Sequence, residues 1–206
     1  MKDRKYTMLC FGDSYTIGEA VEERERFPIQ TVELLKKEGI YFEKPIIIAK
    51  TGWTTDELLI AIKEKDLKGK FDFVTLLIGV NSQYRGRDLE NYRHEFHELL
   101  NIAIVYAGDK REHVFVISIP DWGVTPFGAK DKRGEFQIGK EIDLFNAICK
   151  DEAQKVKVNY IDITLDSRKA KSDSQLIASD GLHPSGKMYG EWVEKLCKGI
   201  KKQLTQ

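Results

Sequence analysis

The sequence predicts a single α/β domain in three layers, a parallel sheet held between two layers of helices. Three observations predict it. Five short runs rich in Val, Ile and Phe recur along the chain, and most lack polar alternation, as strands covered on both faces do. Segments of helical periodicity separate them, long enough for right-handed βαβ crossovers and hence a parallel sheet. No linker, internal repeat or low-complexity segment interrupts the 206 residues, a length suited to one well-packed domain and short for two.

The elements follow in order. Tyr6–Phe11 is the first strand and runs into Gly12-Asp13-Ser14-Tyr15-Thr16, a tight turn that presents a serine. Phe27–Lys37 is a helix with apolar Phe27, Val32, Leu34 and Leu35, Pro28 in its first turn and Gly39 just past its end. Pro45–Ala49 is the second strand. Thr54 and Glu57 have capping-box spacing and open a helix through Leu58, Leu59 and Ile62. Phe73–Ile78 is the third strand, and Leu89–Ala107 a long helix ended by Gly108. Val114–Ile119 is the fourth. Asp121–Gln137 breaks the alternation: Gly123, Pro126, Gly128, Gly134 and the charges Lys130 to Arg133 mark a long loop, functional or mobile in a compact domain. Ile138–Lys155 is helical and Val158–Ile163 is the fifth strand. After the loop Thr164–Ser179, Ser185–Leu204 closes the chain with Met188, Trp192, Leu196 and Ile200 on one stripe.

Composition narrows the function. Lys+Arg and Asp+Glu are equal at 33 each, so nothing favours nucleic acid as a partner. The three cysteines (Cys10, Cys149, Cys197) lie far apart without a CxxC pair and read as free thiols in a reducing compartment. Lys2, Arg4 and Lys5 precede an apolar run that Asp13 interrupts, too short for a signal sequence, and no run approaches a membrane span. A cytoplasmic location is the expectation. His94 and His97 share a helix face, but no third ligand has suitable spacing. Neither metal nor cofactor is expected.

The chemistry gathers where strands end. In open parallel sheets ligands bind at the carboxyl edge. Ser14 follows the first strand, Gly52 the second, Asn81 the third and Trp122 the fourth; Asp180 and His183 come after the fifth. A serine hydroxyl needs a base to take its proton, and the base needs an orienting group. Ser14 therefore reads as nucleophile, His183 as base and then acid, and Asp180 as the residue that orients the imidazole. The developing oxyanion needs fixed donors. The backbone N–H groups of Ser14 and Gly52 and the Asn81 amide are the candidates. Each residue alone has a plainer reading: Gly-Asp-Ser is common turn chemistry, and Asp180 to Pro184 suits a helix-capping loop. Their coincidence on one edge favours a site.

Phe11-Gly-Asp-Ser14, Lys50-Thr-Gly52-Trp-Thr-Thr55, Gly79-Val-Asn81 and Asp180-Gly-Leu-His183-Pro together resemble the four ordered blocks of the SGNH hydrolases, the GDSL esterase and lipase superfamily. The similarity runs from residue 6 to about 195. It implies a flavodoxin-like three-layer α/β/α sandwich around a five-stranded parallel sheet, and a serine esterase acting through Ser14, His183 and Asp180 with an oxyanion hole of Ser14, Gly52 and Asn81. Two positions depart from the pattern. Tyr15 stands where the family often has Leu, which narrows or polarises the entrance; Ser82 stands where the third block usually has Asp. Thr16 in place of a second Gly argues against the Gly-x-Ser-x-Gly hydrolases.

The resemblance implies a small-molecule ester substrate without choosing it. Tyr15, Trp53, Tyr84, Trp122 and Phe127 are expected around the substrate pocket, and no long amphipathic insertion is available to shield a long acyl chain. Acetyl-like groups are the expectation. The alternatives are a lysophospholipase or thioesterase acting on longer chains, an acyltransferase using the same triad, and a non-catalytic flavodoxin-like binding module. Oligomeric state is not legible in the sequence.

Overall fold

The computed structural model describes residues 4–205, so Lys2 lies outside the described residues. Strands β1 (Met8–Gly12), β2 (Ile46–Ala49), β3 (Phe73–Leu77), β4 (Val114–Ile117) and β5 (Asn159–Ile161) form one sheet in the order β2-β1-β3-β4-β5. Every pairing is parallel. Register places Gly12 beside both Ala49 and Leu77, so the first three strands end level with one another. The three inner strands are buried at every residue, which is why their sequences are almost wholly apolar, Thr75 at the centre of β3 being the polar exception. The edge strands are only partly covered and shorter than their apolar runs: β5 keeps three residues of Val158–Ile163.

The helices are α1 (Ser14–Ile17), α2 (Phe27–Lys37), α3 (Thr55–Lys65), α4 (Val80–Tyr84), α5 (Leu89–Tyr106), α6 (Gly134–Lys155), α7 (Thr164–Ser167) and α8 (Gly186–Leu204). α2 packs against α8 on one side of the sheet; α3, α5 and α6 pack side by side on the other. The amphipathic stripe of α8 accounts for its seat: Met188, Trp192, Leu196 and Ile200 are all buried. α3 begins with the expected capping box, Glu57 accepting from the Thr54 N–H at 2.8 Å. Cys10, Cys149 and Cys197 are buried free thiols. No helix among the described residues is long and apolar enough to cross a membrane.

The segment from Asp121 differs most from expectation. Residues 134–137 belong to α6, and what precedes them is two 3₁₀ turns (Trp122–Val124, Gly128–Lys130) fixed by polar contacts. The buried Asp121 carboxylate accepts from Arg168 Nε at 2.9 Å, the Thr125 hydroxyl bridges the Trp122 carbonyl and the Gly128 N–H, and the Phe127 N–H donates to the Gly181 carbonyl at 3.0 Å. Glycines and mixed charge suggest mobility, but in the structure the loop is tied through Asp121 to Arg168 and through Phe127 to Gly181, both on segments distant in sequence.

Candidate active site

The turn that carries Ser14 is built by crowding. A Cβ on Gly12 would lie 2.1 Å from Thr16 Oγ1 and 2.4 Å from the Leu77 carbonyl, so only glycine lets β1 turn directly into α1. Asp13 caps that helix, its Oδ1 accepting from the Tyr15 N–H at 3.0 Å. Ser14 is the first helical residue, so its N–H has no acceptor within the helix. Burial pushes the Asp13 carboxyl up to about 7 against the opposing pull of the Tyr15 N–H, and its Oδ2 has no partner among the described residues.

At the opposite end of the chain, one carboxylate does two things. Asp180 Oδ1 accepts from the N–H groups of Leu182 (2.9 Å) and His183 (3.0 Å), which folds the loop, while Oδ2 meets His183 Nδ1 at 2.5 Å. Partial burial works against the charge on Asp180, but the His183 ring and these backbone donors outweigh it and hold the carboxyl below its ordinary range. With Nδ1 bonded to the carboxylate, Nε2 of the buried ring has no hydrogen-bond partner among the described residues. Tyr15 packs edge-on to that ring, centroids 5.4 Å apart, and is itself tied to α8 by the Tyr189 hydroxyl, which donates to the Tyr15 carbonyl at 3.0 Å.

Ser14, Tyr15, Thr51, Gly52, Val80, Asn81, Tyr84, Trp122, Phe127, Leu182 and His183 line one cavity of ≈ 180 Å³. Residues from strand ends remote in sequence are thus brought together. No hydrogen bond joins Ser14 to His183 among the described residues, a contact that often tightens only with substrate bound. Gly52 has φ +84°, and its N–H is unused among the described residues. Asn81 Nδ2 donates one proton to the Trp53 carbonyl at 2.9 Å and keeps its second.

Of the five aromatics expected around the pocket, four line it. Trp53 does not: its half-buried ring packs against the core, and its contribution to the site is the carbonyl that holds Asn81. Trp122 is buried, with Tyr84 and Phe127 5.5 and 5.9 Å from it. Two supporting residues were not read from the sequence. Gln83 Oε1 accepts from Trp122 Nε1 at 2.8 Å, and the Arg133 guanidinium lies 5.1 Å from the Trp122 ring and 5.5 Å from that of Tyr84. The available signal for Gln83 was a polar residue two positions from Asn81. Ser82, at the departure from the third block, is buried 3.5 Å from the Thr55 hydroxyl. His97, considered as a ligand, bonds Glu152 at 2.9 Å, away from the cavity. A larger groove of ≈ 630 Å³ between α2 and α8 is lined largely by charged side chains and contains none of the candidate residues.

The fold and the cavity define a three-layer α/β protein with a serine, a histidine and an acid at the carboxyl edge of a parallel sheet. The model of the GDSL-like Lipase/Acylhydrolase family matches residues 10–190, and the chain belongs to that family of ester hydrolases. Solved structures share the fold at low identity. The psychrotrophic esterase EstA from Pseudoalteromonas sp. is 16% identical with a TM-score of 0.73, over 98% of this chain and 100% of its own. The lipase/acylhydrolase from Enterococcus faecalis is 21% identical with a TM-score of 0.72, over 96% of each chain. The acetylxylan esterase Axe2 from Geobacillus stearothermophilus is 16% identical with a TM-score of 0.69, over 97% of this chain and 96% of its own. No curated protein sequence matches the chain.

Proposed function

We propose that the protein is a serine esterase that removes short, acetyl-like acyl groups from a small-molecule ester. The observation that carries this reading is the convergence of Ser14, Gly52, Asn81 and His183 on one small cavity, with Asp180 behind the histidine. Ser14 Oγ attacks the acyl carbon while His183 Nε2 takes its proton. The bond from acyl carbon to alkoxy oxygen then breaks, and His183 returns the proton to the departing alcohol. Water, deprotonated by His183, attacks the acyl-Ser14 ester; the acid leaves and the proton goes back to Ser14. Asp180 keeps Nδ1 protonated and stabilises the imidazolium. The N–H groups of Ser14 and Gly52 and the free proton of Asn81 receive the oxyanion at each tetrahedral stage.

The size of the cavity supports the short acyl group. At ≈ 180 Å³ it is smaller than the roughly 300 Å³ at which pockets for drug-sized ligands begin. Trp122 forms part of its wall, held by a hydrogen bond to Gln83 and by the guanidinium of Arg133 against its ring. Among the similar structures, Axe2 is an acetylxylan esterase and EstA an esterase inhibited by monoethylphosphonate. The test is hydrolysis of p-nitrophenyl acetate by the protein and by Ser14→Ala, with labelling by a fluorophosphonate. Turnover should fall by several orders of magnitude in the variant, and Ser14 alone should be labelled. Label on another serine, or undiminished turnover, rules the assignment out. Activity that climbs through lauroyl esters favours a lysophospholipase or thioesterase instead.

A further inference from the structure

Gly52 poses a mechanical problem. A glycine at φ +84° lacks the Cβ that would restrict it, so its own conformation does not fix where its N–H points. The direction must come from what holds the chain on either side. Before it, the Thr51 hydroxyl donates to Glu19. After it, the Trp53 N–H closes a turn onto the Lys50 carbonyl at 3.2 Å, and the Trp53 carbonyl accepts from Asn81. The Gly52 carbonyl itself accepts from Arg85 Nη2 at 2.7 Å.

Arg85 is unusual in what it joins. It caps the C-terminus of α4, where its N–H donates to the Asn81 carbonyl at 3.0 Å. Its guanidinium reaches the Gly52 carbonyl, and a second arm lies 3.4 Å from Glu57, the residue that caps α3 just after the Gly52 loop. One residue therefore fastens both the helix that carries Asn81 and the loop that carries Gly52. Its side chain is not among those that line the cavity, and its hydrogen bonds go to the Gly52 carbonyl and to Glu57.

Resting on the esterase reading, we propose that Arg85 is a positioning residue that sets the spacing between the Gly52 and Asn81 oxyanion donors. A planar guanidinium with several N–H donors can hold a carbonyl and a carboxylate together, which a flexible ammonium does less well. The effect should fall on the transition state, because the oxyanion exists only there. Removing a whole donor costs roughly 10²–10³ in kcat; misaligning one of three should cost less, about 10-fold. The ion pair with Glu57 is too exposed to make the residue a major stabiliser of the fold.

The experiment compares Arg85→Ala, Arg85→Lys and Arg85→Gln with Ser14→Ala on p-nitrophenyl acetate. Arg87→Ala is the control: Arg87 loses the same charge from the same turn but pairs with Asp56 at 3.1 Å, away from the Gly52 carbonyl. Arg85→Ala should lower kcat about 10-fold and leave KM within about 2-fold, with thermal unfolding little changed. Arg85→Lys and Arg85→Gln, each keeping a donor, should recover part of the loss, and Arg87→Ala should lose none. Added guanidinium ion should restore part of the kcat of Arg85→Ala and none of that of Ser14→Ala. A normal kcat in Arg85→Ala beside an inactive Ser14→Ala overturns the Arg85 role alone. So does an equal loss in Arg87→Ala, or an effect confined to KM. If Arg85→Ala does not fold, the lysine and glutamine variants decide: identical, unreduced kcat in both refutes the role. Turnover that survives Ser14→Ala overturns the esterase reading and the Arg85 role with it.

Discussion

Replacing Trp122 by Ala should shift the acyl preference toward longer chains. The indole is 2% exposed and lines a ≈ 180 Å³ cavity, so its removal should enlarge the apolar space open to an acyl chain. Each methylene buried in that space contributes about 0.8 kcal/mol. A hexanoyl chain has two more than butyryl, hence about 1.6 kcal/mol, or about a 15-fold rise in the hexanoyl-to-butyryl ratio of kcat/KM. The fold also bears a cost. Trp→Ala in a core removes about 3–5 kcal/mol, and the loss of the indole N–H leaves Gln83 Oε1 without that donor. Because native domains have only about 5–15 kcal/mol in hand, the assay is best run well below the unfolding midpoint. Trp122→Phe serves as the companion variant, since it keeps an aromatic wall while removing the link to Gln83 and the volume of one ring. The measurement is kcat/KM across p-nitrophenyl esters from acetyl to lauroyl. The unmodified protein should fall away beyond butyryl, Trp122→Ala should move the limit outward, and Trp122→Phe should move it less. An unchanged chain-length profile in Trp122→Ala, or activity rising steadily to lauroyl in the unmodified protein, refutes the reasoning.

Three further outcomes follow from the geometry. His183→Ala should cost nearly as much as Ser14→Ala, since the pair acts as one unit, whereas Asp180→Asn should keep its loop through Oδ1 and lose activity because its amide opposes the Nδ1 proton; a larger loss in Asp180→Asn than in His183→Ala would reverse the assigned roles. Asn81→Ala should reduce kcat by roughly 10²–10³ at nearly constant KM, and Asn81→Asp should be no better because its carboxylate would face the Trp53 carbonyl; a pure KM effect would make Asn81 a binding residue. The pH dependence of stability should carry the signature of Asp13: a carboxyl raised to about 7 from an ordinary 3.8 binds its proton more tightly folded than unfolded, so stability declines as pH rises across that interval. Asp13→Asn should flatten this part of the Tm profile between about pH 4 and about 7, and identical slopes in the two proteins would show that Asp13 does not titrate there.

Local pattern determined much of this protein. The inner strands are almost wholly apolar because both faces are buried, and Thr54 and Glu57 mark the start of α3 because the two groups that satisfy each other are three residues apart. A parallel sheet puts every strand's carboxyl end on one edge, so the positions of Ser14, Gly52, Asn81 and His183 along the chain already implied a common neighbourhood. What tertiary structure decided is what depends on partners remote in sequence. Asp121 and Arg168 stand 47 residues apart, and their ion pair ties the glycine-rich loop to the segment that follows β5. Trp122 and Gln83 stand 39 apart, and Asn81 and Trp53 28 apart. Periodicity carries no trace of such pairings, because it records which face of an element is buried and not what it is buried against. The same distinction explains Trp53: its aromatic side chain suggested a pocket wall, but packing turned the ring to the core and left its backbone carbonyl to hold the asparagine.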